Sequence, residues 1–229
     1  MHAVILAAGE GSRMGGATAD VPKAFMDLAG RTLYERQREA IDPHTDAVTV
    51  VLGHAYENVR DEVGDARTVV LEDWADYENA ESLRRGLQRI DDDVLVVNGD
   101  VIVTESAVGR LCARNAATDE RNVVACLPGR QAEATAIRCD DRDRVTDYGL
   151  ITGRQHAGVG VLDRSNLRAA RDWLAANRRE WYPGLYTTVP TQAVTIPPTH
   201  HIEINYPRDR IAARSKLPLN PSDELDVGT

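Results

Sequence analysis

The stretch Ala3-Val4-Ile5-Leu6-Ala7-Ala8-Gly9-Glu10-Gly11-Ser12-Arg13-Met14-Gly15, followed by Val21-Pro22-Lys23-Ala24-Phe25, decides how this chain is read. Ala3 to Ala7 is a short apolar run of the β type, and it runs out into small residues and a glycine-rich turn. Glycines placed after a strand let backbone N–H groups approach phosphate oxygens where a Cβ would collide. Arg13 and Lys23 add two positive charges beside that turn. A lone Gly-x-Gly reads as an ordinary turn. The Ala-Ala pair before it, the arginine two residues past Gly11 and the Pro22-Lys23 pair move the reading to a phosphate grip. No Gly-x-x-x-x-Gly-Lys-[Ser/Thr] occurs, which excludes a P-loop, and Gly9, Gly11 and Gly15 have the wrong spacing for a dinucleotide fingerprint.

Outward from this strand, apolar runs alternate with helix-like stretches. Strands are expected over 3–7, 47–52, 68–71, 94–97 and 123–127, and helices over 32–41, 56–63, 80–90 and 106–115. A β-α-β-α-β-α-β order with right-handed crossovers predicts an α/β fold, a doubly wound, mostly parallel sheet with helices on both faces. Ligands of such sheets sit at the carboxyl ends of strands, where both Gly9 and Asp100 fall. Past residue 127 the pattern is less regular. Short strands are expected over 134–138, 145–148 and 158–162, then a helix over 166–177 with Asp163 or Ser165 as its cap and Leu167, Ala170 and Leu174 as its inner face.

The 229 residues carry a formal charge of −9, which argues against nucleic acid as a partner, because a polyanion needs a basic surface to displace its counterions. No apolar run approaches the length of a bilayer span and the first residues lack a signal-peptide layout, so a soluble, cytoplasmic protein without a membrane partner is expected. Cys112, Cys126 and Cys139 form no C-x-x-C pair and read as reduced thiols. Lysine occurs only at positions 23 and 216, against twenty-five arginines. A lysine kept in such a chain marks a site that needs a compact ammonium rather than a planar fork.

The N-terminal run resembles the signature of the nucleotidyltransferases that join a nucleotide to a sugar phosphate or alcohol phosphate, roughly L-A-A-G-x-G-[ST]-R-[ML] followed by a Pro-Lys pair. The resemblance implies a Rossmann-like nucleotidyltransferase fold over residues 1–214. Its nucleotide-binding half is 1–127, its acceptor-phosphate half 128–214, and 215–229 is left as a polar, loosely ordered tail. It implies that Leu6, Ala7, Ala8, Gly9, Glu10, Gly11 and Ser12 hold the nucleotide and that Arg13 and Lys23 are catalytic. In the run Val94-Leu95-Val96-Val97-Asn98-Gly99-Asp100, it makes Asp100 a Mg²⁺ ligand. A second ligand is expected in Glu203-Ile204-Asn205-Tyr206-Pro207-Arg208-Asp209, which is similar to the family's late E-I-D-x-x-x-D segment. Here Asn205 stands where that pattern has Asp, so Glu203 and the Asn205 oxygen share the assignment. His200 and His201 read as structural, because neighbours in a strand face opposite sides and Mg²⁺ prefers oxygen.

Trp74 to Leu83 resembles a narrower branch, the phosphocholine cytidylyltransferase-like enzymes, and implies that Asn79 and Ser82 edge the base pocket; as residue types they also suit a helix cap and first turn. The E-K-P motif of larger sugar-nucleotide enzymes is absent, and the comparable region reads Val145-Thr146-Asp147-Tyr148-Gly149, which makes Tyr148 an acceptor-side candidate. Trp181, Tyr182 and Tyr186 could cage a quaternary ammonium through cation–π attraction, or pack as ordinary core. The resulting expectation is transfer from a nucleoside triphosphate, CTP before UTP or dTTP, to a phosphomonoester, with Mg²⁺ as cofactor and pyrophosphate released. A glycosyltransferase is the first rival, although Asp100-Val101-Ile102 lacks the second Asp of a D-x-D motif. A non-catalytic nucleotide sensor is the other, and Asn205 favours it.

Overall fold

The computed structural model describes residues 1–118, 120–129 and 135–214. In chain order the strands and helices are β1 (His2–Ala7), α1 (Leu33–Ile41), β2 (Ala47–Leu52), β3 (Arg67–Val70), α2 (Asn79–Gly86), β4 (Val94–Asn98), β5 (Val101–Val103) and α3 (Glu105–Ala117). They continue with β6 (Asn122–Cys126), β7 (Thr135–Cys139), β8 (Val145–Leu150), β9 (Arg154–Leu162), α4 (Leu167–Ala176), β10 (Thr191–Thr195), β11 (His201–Glu203) and α5 (Pro207–Arg214). The main sheet runs β10-β6-β9-β4-β1-β2-β3, with the β7–β8 hairpin joined through β7 to β9. β1 is parallel to β2 and β4, β2 to β3 and β10 to β6, while β9 runs antiparallel between β4 and β6. This is the mostly parallel, Rossmann-like sheet that the sequence pattern predicts.

The helices cover both faces because successive strand residues point to opposite sides. Ala3, Ile5, Leu95 and Val97 pack with Tyr34 and Ile41 of α1 and Leu111 of α3. Val4, Leu6, Val94 and Val96 pack instead with Leu83 of α2 and with Leu167, Ala170 and Leu174 of α4. Strands buried on both faces read as unbroken apolar runs, which is why β1 and β4 are so plain in the sequence. α1 begins at a capping box, where Thr32 accepts from the Glu35 amide and the Glu35 carboxylate accepts from the Thr32 amide. Asp163, not Ser165, caps the turn leading into α4, since its carboxylate accepts from the Ser165 amide and hydroxyl.

Several expectations need correction. Residues 56–63 form a single 3₁₀ turn at Tyr56–Asn58, not a helix: Ala55 enters in the left-handed region at φ 48° and Asn58 Nδ2 donates to the Asp20 carbonyl at 2.8 Å. Val59 and Val63, which suggested helical spacing, are buried from turns instead. α2 stops at Gly86 rather than Ile90. A Cβ at Gly86 would lie 2.6 Å from Val4 Cγ1, so the glycine is what lets the helix lie on β1. Position 134 and the expected tail from 215 lie outside the described residues. No helix among the described residues is long and apolar enough to cross a membrane.

Candidate functional site

The phosphate-grip residues converge at the carboxyl ends of β1 and β4. Gly99 donates its amide to the Leu6 carbonyl at 2.9 Å, and a Cβ there would fall 2.6 Å from that oxygen, so glycine allows the turn after β4 to press against the end of β1. Gly11 adopts φ 67° and its Cα faces the Lys23 side chain, where a Cβ would meet Lys23 Cβ at 3.1 Å. Thr18 braces the loop by donating its hydroxyl to the Gly11 carbonyl at 3.2 Å.

The resulting cleft has a volume of about 330 Å³ and is lined by Leu6, Ala7, Gly9, Gly11, Ser12, Arg13, Lys23, Glu78, Asn79 and Asp100, with Asn205 at its edge. Arg13 is exposed and makes no hydrogen bond or ion pair among the described residues, so its charge faces the cleft uncommitted. Ala8 is buried behind the loop, with its carbonyl accepting from His54, and Glu10 is exposed outside the lining.

A short antiparallel ribbon brings the late acidic segment to Asp100. β11 pairs with β5, and the Ile204 amide donates to the Asp100 carbonyl at 3.0 Å. Lys23 Nζ then donates to Asp100 Oδ2 at 3.1 Å and to Asn205 Oδ1 at 3.3 Å. Asn205 Nδ2 donates to Glu203 Oε1 at 2.8 Å, and the other Glu203 oxygen accepts from Gln155 Nε2 at 3.2 Å. Burial pushes the Glu203 carboxyl above its ordinary value, and the Asp100 charge adds to that rise. The Asp100 and Asn205 oxygens thus meet at one point now held by an ammonium, with Glu203 one hydrogen bond behind. Among the described residues no group of three or more His, Cys, Asp or Glu gathers as a self-sufficient metal cage. An oxygen-only set with few carboxylates suits Mg²⁺, which takes one or two protein carboxylates and completes its shell with phosphates and water.

Glu78 links this cleft to a second cavity of about 460 Å³ formed with Tyr148, Trp173, Trp181 and their neighbours. Asn79 is the first residue of α2 rather than its cap, and its Oδ1 accepts from the Tyr182 amide at 2.8 Å. Ser82 is buried one turn further on and lines neither cavity.

The aromatic group that the sequence offered as a cage or as core is divided. Trp181 is 38% exposed and Tyr148 half-buried, both on the second cavity, but Tyr182 and Tyr186 are fully buried and meet no solvent. They form a triangle with His156, ring centroids 6.0 to 6.2 Å apart, beneath the cavity. Their rings pack against α2 and β8, so these two take the core alternative that the sequence left open and do not cage a ligand. Burial, then His201, holds the His156 imidazole at about 3, so it is neutral, and burial pushes the Tyr148 hydroxyl up to about 12. His201 is structural as expected, its Nε2 lying 3.1 Å from the Ala157 carbonyl.

Sequence reasoning missed Glu78, Trp173 and Gln155, and it gave Asp209 no role although the late acidic segment ends on it. Asp209 had a local signal: four residues past Asn205 at a helix start, it accepts from the amides of Asn205 and Tyr206 at 2.9 and 2.8 Å and so sets the Asn205 side chain. Glu78 had none, because its partner Trp181 lies 103 positions away.

Residues 3–177 match the model of the MobA-like NTP transferase domain. The chain is 31% identical over 196 residues to CMP-5'-(3-aminopropyl)phosphonate synthase of Streptomyces rubellomurinus, covering 81% of this chain but 30% of that protein's length. It is 28% identical over 159 residues to ribitol-5-phosphate cytidylyltransferase of Lactiplantibacillus plantarum, covering 64% of this chain and 66% of that one. Among solved structures, CTP:phosphocholine cytidylyltransferase of Streptococcus pneumoniae superposes with a TM-score of 0.73 at 16% identity, covering 93% of this chain and 97% of that one. The inositol-1-phosphate CTP transferase of T. maritima gives 0.75 at 16% identity, covering 94% and 95%. At such identity the structures speak for the fold alone.

Proposed function

The chain belongs to the MobA-like NTP transferase domain family, and from that we propose that it transfers a nucleotidyl group from CTP to a small phosphorylated acceptor, releasing pyrophosphate in a Mg²⁺-dependent reaction. The observation that carries this reading is the meeting of Lys23, Asp100 and Asn205 under the glycine loop at the ends of β1 and β4. CTP is favoured over UTP or dTTP because two relatives by sequence, CMP-5'-(3-aminopropyl)phosphonate synthase and ribitol-5-phosphate cytidylyltransferase, carry cytidine chemistry in their names, one with a phosphonate and one with a phosphate ester.

In the proposed reaction an acceptor phosphate oxygen attacks the α-phosphorus, a new P–O bond forms, and the bond to the β-phosphate oxygen breaks with its electron pair leaving on pyrophosphate. A phosphomonoester with a second pKa near 6 is largely dianionic at neutral pH, so no general base is required. Positioning and charge neutralisation do the rest. The Gly9 and Gly11 amides hold the triphosphate, Arg13 meets the departing pyrophosphate, and Lys23 turns from Asp100 towards the α-phosphate. Asp100 and Glu203, with the Asn205 oxygen, would hold Mg²⁺, whose chemistry is to neutralise phosphate oxygens.

Pyrophosphate release is the test: CTP, UTP, dTTP, ATP and GTP are screened with Mg²⁺ against alcohol phosphates, phosphonates and hexose 1-phosphates. Release with CTP and one acceptor is expected. Nucleotide binding without release under any pairing would favour a sensor, the reading that Asn205 in place of a carboxylate supports.

A further inference from the structure

The second cavity has the wall chemistry of a cation site. It carries three aromatic rings, Tyr148, Trp173 and Trp181, and two carboxylates, Glu78 and Glu180. Glu78 accepts from a neutral donor, Trp181 Nε1 at 3.0 Å, and neither carboxylate has a cationic partner among the described residues. Both charges are therefore open to a ligand, in contrast to the neighbouring Glu81, which engages Arg84, Arg85 and Arg178. Arg179, on the same wall, donates to the neutral Asp76 carbonyl at 3.3 Å and keeps its charge, so the wall carries two carboxylates against one guanidinium.

The wall is also held in place. The amides of Glu78 and Ala80 donate to the carbonyls of Arg178 and Glu180, both at 3.3 Å, so the start of α2 and the segment after α4 form one rigid seam. Glu78 lines both this cavity and the triphosphate cleft, so a molecule with its phosphate in the cleft would carry its other end past Glu78.

Resting on the transferase reading above, we propose that this cavity receives the non-phosphate end of the acceptor, that this end is an organic cation, a primary or quaternary ammonium, and that Glu78 is its counter-charge. Aromatic faces attract such a cation through their quadrupoles, and the carboxylate supplies the Coulomb attraction that a neutral group of the same shape would forgo.

The test pairs acceptors of equal shape and different charge. With CTP and Mg²⁺, phosphocholine and phosphoethanolamine are compared with the neutral 3,3-dimethylbutyl phosphate and propyl phosphate. The cationic members should be preferred by about tenfold or more in kcat/KM, and Glu78→Gln should bring the ratio towards one. Glu78 is exposed, so the variant should melt with the wild type.

A second measurement is independent of turnover. Choline should change the tryptophan fluorescence of the wild type, 3,3-dimethylbutanol should not, and Glu78→Gln and Trp181→Leu should each weaken the choline response. Neutral acceptors used as well as cationic ones, with no choline response, would overturn the inference and leave the transferase reading standing. A choline response that Glu78→Gln weakens, with no pyrophosphate from any pairing, would uphold the cation site and remove the transferase reading.

Discussion

The cleft at the ends of β1 and β4 and the cavity beside it share Glu78, yet they are built in opposite ways. The cleft is made from backbone: one glycine loop, one Gly-Asp turn and a short ribbon that delivers residues 203–205. Two of its charges are already paired, Lys23 resting on Asp100 and reaching the Asn205 oxygen, while Arg13 stays uncommitted. The cavity is made from side chains brought together over long separations, Glu78 to Trp181 and Asn79 to Tyr182 across 103 positions and Glu81 to Arg178 across 97. The phosphate end therefore depends on local conformation and charge, while the acceptor end depends on the seam between α2 and the segment after α4. A substitution should damage one region and spare the other.

The largest effect is expected at Asp100. Asp100→Ala removes the carboxylate on which Lys23 rests and the first oxygen offered to a divalent ion, and should lower kcat about 10³-fold, the scale of losing one preorganised charge contact. Steady-state pyrophosphate release reads this, and acceptor-side binding of choline should be unchanged. Near-normal turnover would show that the cleft's charges are structural.

Glu81 breaks the comparison from the other side. Its carboxylate is fully buried, and although burial alone would raise its pKa, hydrogen bonds from Arg84, Arg178 and Arg85 pull it from 4.5 to about 2. Glu81→Gln leaves three guanidiniums facing a neutral amide and should cost about 2–3 kcal/mol in chemical denaturation, less than a fully buried pair because the arginines reach solvent. A depressed folded-state pKa means that this contribution is present above pH 4.5 and is lost as pH falls towards 2. The variant's stability should therefore fall less steeply than the wild type's across that window. Acceptor KM should rise while CTP affinity holds.

Lys23→Met should have a smaller effect, and in the opposite direction. In the protein without nucleotide the Lys23 ammonium occupies the point where the Asp100 and Asn205 oxygens meet, so a divalent ion must displace it. Removing it should tighten Mn²⁺ binding without nucleotide by about tenfold, read by electron paramagnetic resonance, even as turnover falls. Unchanged Mn²⁺ affinity would show that the ion enters elsewhere.

The contrast between the regions also explains what could be read from sequence. β1 and β4 are buried on both faces and advertise themselves as apolar runs, and Gly9, Gly11, Lys23 and Asp100 follow them at short range, so their convergence was legible. For Tyr182 and Tyr186 the clustering of aromatic residues left a ligand cage and ordinary core packing both open. Which face of the segment turned inwards was decided by its packing against His156 and β9, and no local pattern encodes that. The helix expected over 56–63 failed for a related reason: Val59 and Val63 needed burial, and turns after the left-handed Ala55 supplied it.

Asn205→Asp should give the smallest effect and the sharpest reading of the cleft, because it restores the carboxylate that the family pattern carries. Two consequences oppose each other. The new charge sits at the point where the Asp100 oxygen and Lys23 meet, which favours a divalent ion. It also replaces an amide donor 2.8 Å from Glu203 Oε1 with a second carboxylate, and Glu203 is already held above its ordinary pKa by burial and by Asp100. Repulsion should raise Glu203 further, so at low pH the variant gains one charge while Glu203 takes up a proton. At higher pH, with Glu203 ionised, the ion should win, because attraction between a double charge and three carboxylates outweighs the loss of one hydrogen bond. Mn²⁺ affinity without nucleotide should therefore rise by about three- to tenfold, and the gain should grow as pH increases. A gain independent of pH would show that Glu203 does not share the site, and no gain at any pH would remove residue 205 from the ligand set.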